Sequence, residues 1–323
     1  MKMKDRWGWF VNYIKWFMIK SAHVITKKYY FRGEKYGKYK LSTNNHANKE
    51  IYDKILSGQP FACCRLSFVE TDIAIAYEKD KLWGTDSFKT GKSREVLYDH
   101  FGTDLLKKAE YISHFAEIFK RTCQNADVIC IWESLAMGDW YVSYVGSACP
   151  KIIVSAGCIE PFQQEQPWTY ALKGKKVLVI NPFSETIEAQ YKVREYIWKN
   201  DKILPEFELI TLKAVWYSFA GKDERFGDWF EAYDYLFQEA MKIDFDVALL
   251  GCGLFGMPLA VRLKEAGKQA IHMGSAAQLL FGITGKRWDA SGGLDKYLNE
   301  YWTRPPKTEV PQNAEKLDQA CYW

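Results

Sequence analysis

The chain has 323 residues, of which 48% are hydrophobic and 26% are charged, with 44 basic and 40 acidic side chains. These values are typical of a soluble globular protein that can bury a large core without disulfide support. The formal net charge of +4 is too small to indicate a nucleic-acid partner, and we expect none. Aromatic residues reach 16%, a content that proteins use for core packing, for stacking on sugars and at membrane interfaces.

The eight cysteines form no Cys-x-x-Cys pair, and several lie within apolar runs such as Asp127 to Trp132. We therefore expect reduced, mostly buried thiols in a cytoplasmic protein, and neither a disulfide framework nor a zinc site. No apolar run reaches the roughly 18 to 20 residues that span a bilayer. Residues 1–20 lack the small-residue cleavage site of a signal peptide, so they belong to the mature chain in this interpretation.

An amphipathic helix is predicted at the start of the chain, where apolar side chains recur at helical spacing. They are Trp7, Phe10, Val11, Ile14, Phe17 and Met18, with Lys4, Arg6, Lys15 and Lys20 beside them. We favour a helix that packs on the domain. The alternative is a helix on an anionic membrane surface, which would place the protein at the inner face of the membrane. The basic stretch 27–40 is interpreted as a loop or arm.

Short apolar runs alternate with amphipathic stretches from residue 48 onward, which predicts a doubly wound, mostly parallel, Rossmann-like α/β sheet. The predicted strands are 61–66, 126–131, 176–180, 208–212, 245–250 and 269–272. The predicted helices are 104–123, 185–199, 228–243 and 257–266. The chain is divided into an N-terminal helix and arm (1–47), an N-terminal α/β half (48–160), a C-terminal Rossmann-like half (161–302) and a Pro-rich tail (303–323). The tail either docks through Tyr322 and Trp323 or frays.

The first predicted strand ends in Arg65, and two acids, Glu70 and Asp72, follow it. Open α/β sheets bind ligands at strand ends, so Arg65 could clamp a phosphate there. Glu70 or Asp72 could hold a divalent ion or act as a general base. An internal Arg–Glu ion pair is the alternative. A helix over residues 69–78 places the two acids on different faces, so we expect one of them to point inward.

Two later strand-end loops carry weaker signals. The loop after the 126–131 strand offers Glu133 and Asp139 as acids, either of which could be a catalytic base. The turn 181–184 ends in Ser184, which we interpret as a helix N-cap.

The segment 246–256 has the clearest pattern, a buried strand that runs into Gly251-x-Gly253-x-x-Gly256 and then into a helix. Glycines at this spacing let backbone N–H groups approach a diphosphate, or they serve only close packing of the strand and helix. An NAD site would need an acid at the end of the next strand. His272 and Gly274 stand there instead, so an oxidoreductase is the weaker interpretation.

Two adjacent cations, Lys286 and Arg287, precede Trp288. They could bind a diphosphate while the indole contacts a base or sugar ring. The alternative is a solvated basic loop with one buried Trp. No nucleophile elbow of the form Gly-x-Ser-x-Gly occurs, so serine-nucleophile chemistry has little support.

In order from about residue 51 to residue 288, the sequence resembles bacterial glycosyltransferases of the GT-D fold. The resemblance rests on 65–70, Arg-Leu-Ser-Phe-Val-Glu, on 245–251 and on 259–274. It implies transfer of a sugar from a nucleotide diphosphate to a surface-polysaccharide or protein-linked glycan, often with a divalent metal. The family carries an Asp-x-Glu after its first strand. Glu70 matches the Glu, whereas Phe68 stands where the Asp is expected.

The resulting hypothesis is a glycosyltransferase that takes a nucleotide-sugar donor and a glycan or lipid-linked acceptor, with Mn²⁺ or Mg²⁺ as an expected cofactor at Glu70. Phe cannot ligate a cation, so either Arg65 with Lys286 or Arg287 balances the diphosphate charge, or Asp72 replaces the missing Asp. The expected donor-binding residues are Arg65, Gly251, Gly253, Gly256, His272, Gly274, Gln278, Lys286 and Arg287, and the expected catalytic acids are Glu70 and Asp72. A non-catalytic nucleotide-binding protein is the second hypothesis, and an NAD(P)-dependent oxidoreductase is the third.

Overall fold

The fold was analysed in a computed structural model. It describes residues 39–85, 109–131, 144–149, 151–218, 221–289, 293–316 and 318–323, and single positions at 6–8, 10, 11, 14, 18, 35, 36, 141 and 142.

Parallel strands form the centre of the molecule. The strands of the described residues are β1 (Lys35–Tyr36), β2 (Tyr39–Lys40), β3 (Phe61–Arg65), β4 (Val128–Ile131), β5 (Ile152–Ser155), β6 (Lys176–Asn181), β7 (Glu208–Lys213), β8 (Tyr217–Ser218), β9 (Gly221–Lys222), β10 (Val247–Leu250) and β11 (Gln269–His272). Seven of them make one sheet in the order β5-β4-β3-β11-β10-β6-β7, and every pairing in it is parallel. The remaining strands form two short antiparallel hairpins, β1–β2 and β8–β9. The predicted doubly wound, mostly parallel sheet is therefore confirmed.

Helices cover both faces of this sheet. They are α1 (Asn44–Ser57), α2 (Phe68–Trp83), α3 (Ala109–Asn125), α4 (Ser184–Tyr191), α5 (Arg194–Ile197), α6 (Trp229–Met241), α7 (Gly256–Glu265), α8 (Ala276–Leu280) and α9 (Lys286–Asp289). Alternate strand residues face opposite sides, so Cys64 packs with α2, α3, α6 and α7, while Cys63 packs with α1, α4 and α8. Burial on both faces explains why the strands are continuous apolar runs rather than alternating ones.

Local signals set several helix ends. Thr43 caps α1 by accepting a hydrogen bond from the His46 N–H, and Gly58 ends that helix in the left-handed conformation. Asp228 caps α6 by accepting from the N–H groups of Phe230 and Glu231.

Two sequence-based expectations about local structure were wrong. Ser184 does not cap α4, because the N-cap position is Phe183 and has no side-chain cap. The carboxylate of Glu309, from a distant segment, accepts the N–H groups of Glu185 and Thr186 instead. The predicted helix 185–199 is also broken into α4 and α5, since the chain turns to bury Trp198, whose indole donates to the Leu280 carbonyl at 2.8 Å.

Strand β5 lies where the sequence patterns predicted no strand. Its four residues are too few to show a period, and its two ends are half-buried because it forms one edge of the sheet. Short 3₁₀ turns between residues 156 and 172 connect it to β6, in the stretch predicted to join the two halves.

Helical backbone is present at each described position of the first 20 residues. Trp7, Phe10, Ile14 and Met18 are exposed there, while Arg6 donates to the Leu82 carbonyl at the end of α2. Among the described residues, none of the helices combines the length and the hydropathy needed to cross a bilayer. Six of the eight cysteines are buried, as expected.

Candidate functional site

The carboxyl ends of adjacent strands β3 and β11 mark the candidate site. The chain leaves β3 into α2 on one face of the sheet and leaves β11 into α8 on the other. Connections that depart in opposite directions open a crevice at the strand ends, which is where open α/β sheets bind ligands.

A cavity of about 240 Å³ lies at this edge and extends from β3 to the residues that follow β7. Its wall contains Arg65, Ser67, Glu70, Asn181, Pro182, Phe183, Ala214, Val215, Trp216, Tyr217, Ser218, Trp229, Gly251, Cys252, Gly253, Leu254, Phe255, His272, Gly274, Ser275, Gln278, Arg287, Tyr322 and Trp323. The wall thus joins residues more than 250 positions apart in the sequence.

Arg65 occupies the β3 end of this cavity, held by the loop after β11. Its Nη1 lies 3.5 Å from the Met273 carbonyl oxygen and 3.4 Å from Ser275 Oγ. Gly274 makes room for it, because a Cβ at residue 274 would lie 2.6 Å from Nη1, and the φ of +58° there disfavours other residues. Burial lowers the pKa of Arg65, and the charge of Glu160 is the strongest influence that opposes it. Glu160 was not among the predicted site residues.

Glu70 lies in the first turn of α2 and is only 3% exposed. Burial raises its pKa from 4.5 to about 7, although a backbone hydrogen bond and the Arg65 charge pull in the other direction. Its Oε2 has no hydrogen-bond partner. Glu70 is therefore a buried carboxyl group that exchanges its proton near neutral pH beside a guanidinium.

His272 ends β11 and is buried under Gly256. Burial lowers its pKa to about 3, and the charge of Arg65 contributes in the same direction. The imidazole is accordingly neutral, and its Nδ1 is without a hydrogen-bond partner.

Buried polar atoms without a partner concentrate around this cavity. Seven such side-chain atoms occur in the described part of the chain, and five belong to residues that line the cavity. These five are Ser67 Oγ, Glu70 Oε2, Trp229 Nε1, His272 Nδ1 and Trp323 Nε1. A buried polar group that lacks a partner is costly, so a cluster of them indicates a place where a polar ligand supplies the missing hydrogen bonds.

The opposite end of the cavity, after β6 and β7, is aromatic. Trp216, Tyr217, Phe183 and Trp323 line it. Trp229 lines the cavity from the α2 and α3 face of the sheet, where it stacks on Phe255 at 5.0 Å and meets Phe115 edge to face at 5.4 Å. Trp323 packs against Trp216 at 5.8 Å and, edge to face, against Phe183 at 6.4 Å. The charged side chains of the wall, Arg65, Glu70 and Arg287, follow β3 and β11, so the cavity has a charged end and an aromatic end.

Residues 321–323 dock against the loop after α8, which agrees with the expectation that this tail folds back. The backbone N–H groups of Lys286 and Arg287 donate to the carbonyl oxygens of residues 323 and 321 at 3.1 and 2.9 Å. The Arg287 guanidinium lies 4.7 Å from the Tyr322 ring centroid. The side-chain amide of Gln278 donates a hydrogen bond to the carbonyl oxygen of residue 322 at 3.2 Å, so this donor is already used within the protein.

The structure brings most of the predicted site residues together and leaves others apart. Arg65, Glu70, Gly251, Gly253, His272, Gly274, Gln278 and Arg287 line the cavity, and Gly256 lies directly behind His272. Asp72 is exposed on the other side of α2, as the helical spacing predicted. Lys286 is exposed and pairs with Glu315 at 3.3 Å. Glu133 and Asp139 lie outside the described residues.

The expected divalent metal does not match the side chains that the structure describes at Glu70. Phe68 is 42% exposed and has no ligating atom, and no group of three or more His, Cys, Asp or Glu side chains suitable for a metal occurs among the described residues. Mg²⁺ and Mn²⁺ require several hard oxygen ligands, whereas Glu70 is a single carboxyl whose pKa the Arg65 charge already lowers. No metal-dependent step is therefore derived for this site.

Sequence reasoning missed the aromatic end. Trp216 and Tyr217 follow β7 at the ligand-binding edge, so the strand-end rule that selected Arg65 would have selected them as well. Trp229 begins α6 and Trp323 is distant in sequence, and no local pattern connects either of them to the site.

Comparison with known proteins returned no matching family model and no matching curated protein. Two solved structures are similar to the chain, each with 13% identity and covering 80% of this chain and 83% of the other. One is a selenomethionine-substituted structure of domain of unknown function 1792, with a TM-score of 0.43. The other, with a TM-score of 0.44, is a structure of the same highly conserved domain, for which a distinct glycosyltransferase fold is described. At this identity the likeness assigns no role to any residue of this chain.

Proposed function

We propose that this protein transfers a sugar from a nucleotide-diphosphate donor bound in the cavity. The observation that carries the proposal is the composition of the cavity wall, which combines two arginines, one buried carboxyl group and unpartnered hydrogen-bonding groups. Such a wall suits an oxygen-rich anion with a ring at one end, which is the chemistry of a nucleotide sugar.

The charged end would hold the diphosphate. Arg65 and Arg287 supply planar guanidinium groups, and Gly251 and Gly253 bring the loop after β10 to the same cavity. Transfer breaks the bond between the sugar C1 and the diphosphate oxygen, so negative charge grows on the departing diphosphate. Cations placed in advance at that position stabilise the transition state, and this is commonly the largest catalytic effect.

Glu70 would accept the proton of the attacking acceptor hydroxyl as its oxygen bonds to the sugar C1. A base works best with a pKa near the working pH, and burial brings Glu70 to about 7. The rate should therefore rise as pH increases through about 7. Loss of a general base typically lowers the rate by roughly 10² to 10⁴ fold.

The test is a binding screen by thermal shift with UDP-, GDP- and dTDP-sugars, NAD(H) and NADP(H), each with and without manganese. A ligand at about 100 times its dissociation constant should stabilise the protein by about 2.7 kcal/mol. Release of the nucleoside diphosphate from the bound donor, measured for the wild type and Glu70→Gln, then tests turnover. Stabilisation by no nucleotide sugar would refute the proposal, and stabilisation by NAD(P) alone would favour an oxidoreductase.

A non-catalytic nucleotide-binding protein is the second candidate. The observation that favours it is Phe68, whose side chain has no ligating atom. Glu70 is therefore the one carboxylate described in the first turn of α2. This candidate predicts donor binding that is retained in Glu70→Gln, with no release of diphosphate by either protein.

An acceptor route adjoins the cavity in this proposal. A wider groove of about 990 Å³ shares residues 214–218 with the cavity wall. Its other side carries Lys222, Arg225 and Lys316, with Asp223 and Glu224 among them. A polar glycan acceptor fits this mixed surface.

Membrane contact through residues 1–20 belongs to the same proposal, since lipid-linked acceptors lie at a membrane. The exposed Trp7, Phe10, Ile14 and Met18 stand three or four residues apart, as on one face of a helix. Flotation with vesicles that contain anionic lipid tests this contact. We expect a variant with Ser at these four positions to stop floating, and unchanged flotation would contradict it.

A further inference from the structure

The cavity wall contains two indole N–H groups that are buried and unpartnered, one of them, that of Trp323, at the aromatic end. Trp229 is 1% exposed and Trp323 is 7% exposed, and neither Nε1 has a hydrogen-bond acceptor. Both residues line the cavity. An indole nitrogen can only donate, so each N–H needs an oxygen or nitrogen acceptor that the protein does not provide.

The backbone around Trp323 is held in an unusual conformation that delivers this side chain to the cavity. Gln319 and Ala320 have φ values of 56° and 58°, in the left-handed region that disfavours residues other than glycine. Such strain persists only where the surroundings impose it, and it is concentrated at functional sites. Here hydrogen bonds from Lys286, Arg287 and Gln278 fix the main chain of residues 321–323.

Residues 321–323 also connect the two ends of the cavity. Tyr322 lies against the Arg287 guanidinium at the charged end, whereas Trp323 packs on Phe183 and Trp216 at the aromatic end. The β3 and β6 strand ends are three strand spacings apart, or roughly 14 Å at about 4.8 Å each. A ligand that engages both Arg65 and Trp323 must therefore be elongated, with an anionic part and a separate ring.

We infer that Trp323 is a ligand-binding residue whose indole N–H donates to an oxygen on the ring-bearing part of the ligand. The inference rests on the proposed function, because it takes the phosphates to lie at Arg65 and Arg287. The ring is either the nucleobase with its ribose or the transferred sugar, and both carry oxygen acceptors.

Trp323→Phe tests this role, since phenylalanine retains an aromatic ring for Phe183 and Trp216 but has no N–H. Trp168→Phe is the matched control, because Trp168 also has a buried, unpartnered Nε1 but lies outside the cavity wall. Calorimetry would measure binding of UDP, GDP, UDP-glucose, GDP-mannose and inorganic pyrophosphate to each protein. Near-UV circular dichroism would verify that the variants are folded.

We expect Trp323→Phe to weaken binding of the nucleotides about tenfold, the equivalent of one hydrogen bond. Pyrophosphate has no ring, so its affinity should stay within about twofold of the wild-type value, and Trp168→Phe should change neither affinity. A loss that is already present with UDP or GDP assigns the contact to the nucleoside, and a loss confined to the nucleotide sugars assigns it to the sugar.

Unchanged nucleotide affinity in Trp323→Phe would overturn the inference while leaving the proposed function in place. An equal loss for pyrophosphate would also overturn it, because the substitution would then act by disturbing Arg287 through residues 321–323. A wild-type protein that binds no nucleotide refutes the proposed function and the inference with it.

Discussion

Glu70 and His272 are buried at the same end of the cavity, and burial moves their pKa values in opposite directions. The pKa of Glu70 rises to about 7 and that of His272 falls to about 3, so both groups favour their neutral forms. Arg65 nearby lowers both values. A neutral imidazole beside a carboxyl that ionises near pH 7 leaves Glu70 as the group that changes charge in the neutral range.

The free energy of unfolding should vary with pH because of the ionisation of Glu70. Its folded-state pKa lies above the unfolded value of 4.5, so the folded protein loses stability as pH rises from about 4.5 through about 7. The full loss corresponds to about 3 kcal/mol. We expect Glu70→Gln to be more stable than the wild type above pH 7 and to lose that advantage near pH 4.5.

Urea unfolding at several pH values provides the measurement. The His272 contribution to the pH dependence has the opposite sign, but it is the same in both proteins. The difference in unfolding free energy between them therefore reports Glu70 alone. The His272 contribution is present above pH 6.5 and is lost as pH falls toward 3. A difference in unfolding free energy that does not vary with pH would show that Glu70 titrates normally.

Packing at the element scale explains two glycines of the Gly251-x-Gly253-x-x-Gly256 pattern without any ligand, because a Cβ at Gly251 would lie 2.7 Å from the Cβ of Ala277. A Cβ at residue 256 would lie 2.3 Å from the Cδ2 of His272, so α7 can approach β11 only with glycine at this position. The backbone there is ordinary helix, with φ of −62°. Glycine is therefore required at position 256 by steric contact with the His272 ring and not by the backbone conformation.

Gly256→Ala should destabilise the protein by about 1 to 3 kcal/mol, because the added methyl group overpacks against His272. In a His272→Ala background the same substitution should cost close to nothing, since the ring is absent and alanine favours helix. Chemical denaturation of the four proteins of this cycle measures the coupling. Additive effects would contradict the contact.

A carboxylate from a distant segment completes the N-terminus of α4. Glu309 is 2% exposed and accepts hydrogen bonds from the N–H groups of Glu185 and Thr186, and from the Thr186 hydroxyl. Glu309 therefore caps the helix in the way that was predicted for Ser184. Its negative charge is also favourable at a helix N-terminus.

Glu309→Ala should reduce the free energy of unfolding by roughly 1 to 3 kcal/mol, because it leaves buried donors unsatisfied. Glu315→Ala is the control from the same segment. Its ion pair with Lys286 is exposed, so we expect a change below about 0.5 kcal/mol. Equal effects of the two substitutions would indicate that Glu309 does not act through α4.

At the scale of the whole molecule, the two predicted halves share one sheet. β3, from the first half, pairs along its length with β11, from the second, in the register Phe61↔Gln269 to Cys64↔His272. Helix α7 packs over β3 as well, and Cys64 Sγ lies 3.8 Å from the Met257 carbonyl oxygen. The cavity extends across this junction.

A fragment of residues 41–160 should therefore not fold alone, because β3 would lose its neighbour β11 and the packing of α7 over it. We expect it to be insoluble or to lack a cooperative thermal transition. Co-expression with residues 161–323 should restore solubility and the cooperative transition. Circular dichroism of the purified fragment makes the measurement. A soluble fragment with a cooperative transition would instead establish the first half as a domain.

Periodicity and strand-end chemistry in the sequence determined the fold class, because most strands of the central sheet are apolar runs that alternate with amphipathic helices. They also located Arg65 and Glu70, since side chains at the carboxyl ends of parallel strands meet at one edge. Only the tertiary structure decided which side chains form the aromatic end of the cavity. Trp323 reaches it through contacts between segments far apart in the chain, and Glu309 replaces Ser184 for the same reason. Local patterns describe how a segment folds, but not which distant segment will supply its missing hydrogen bonds.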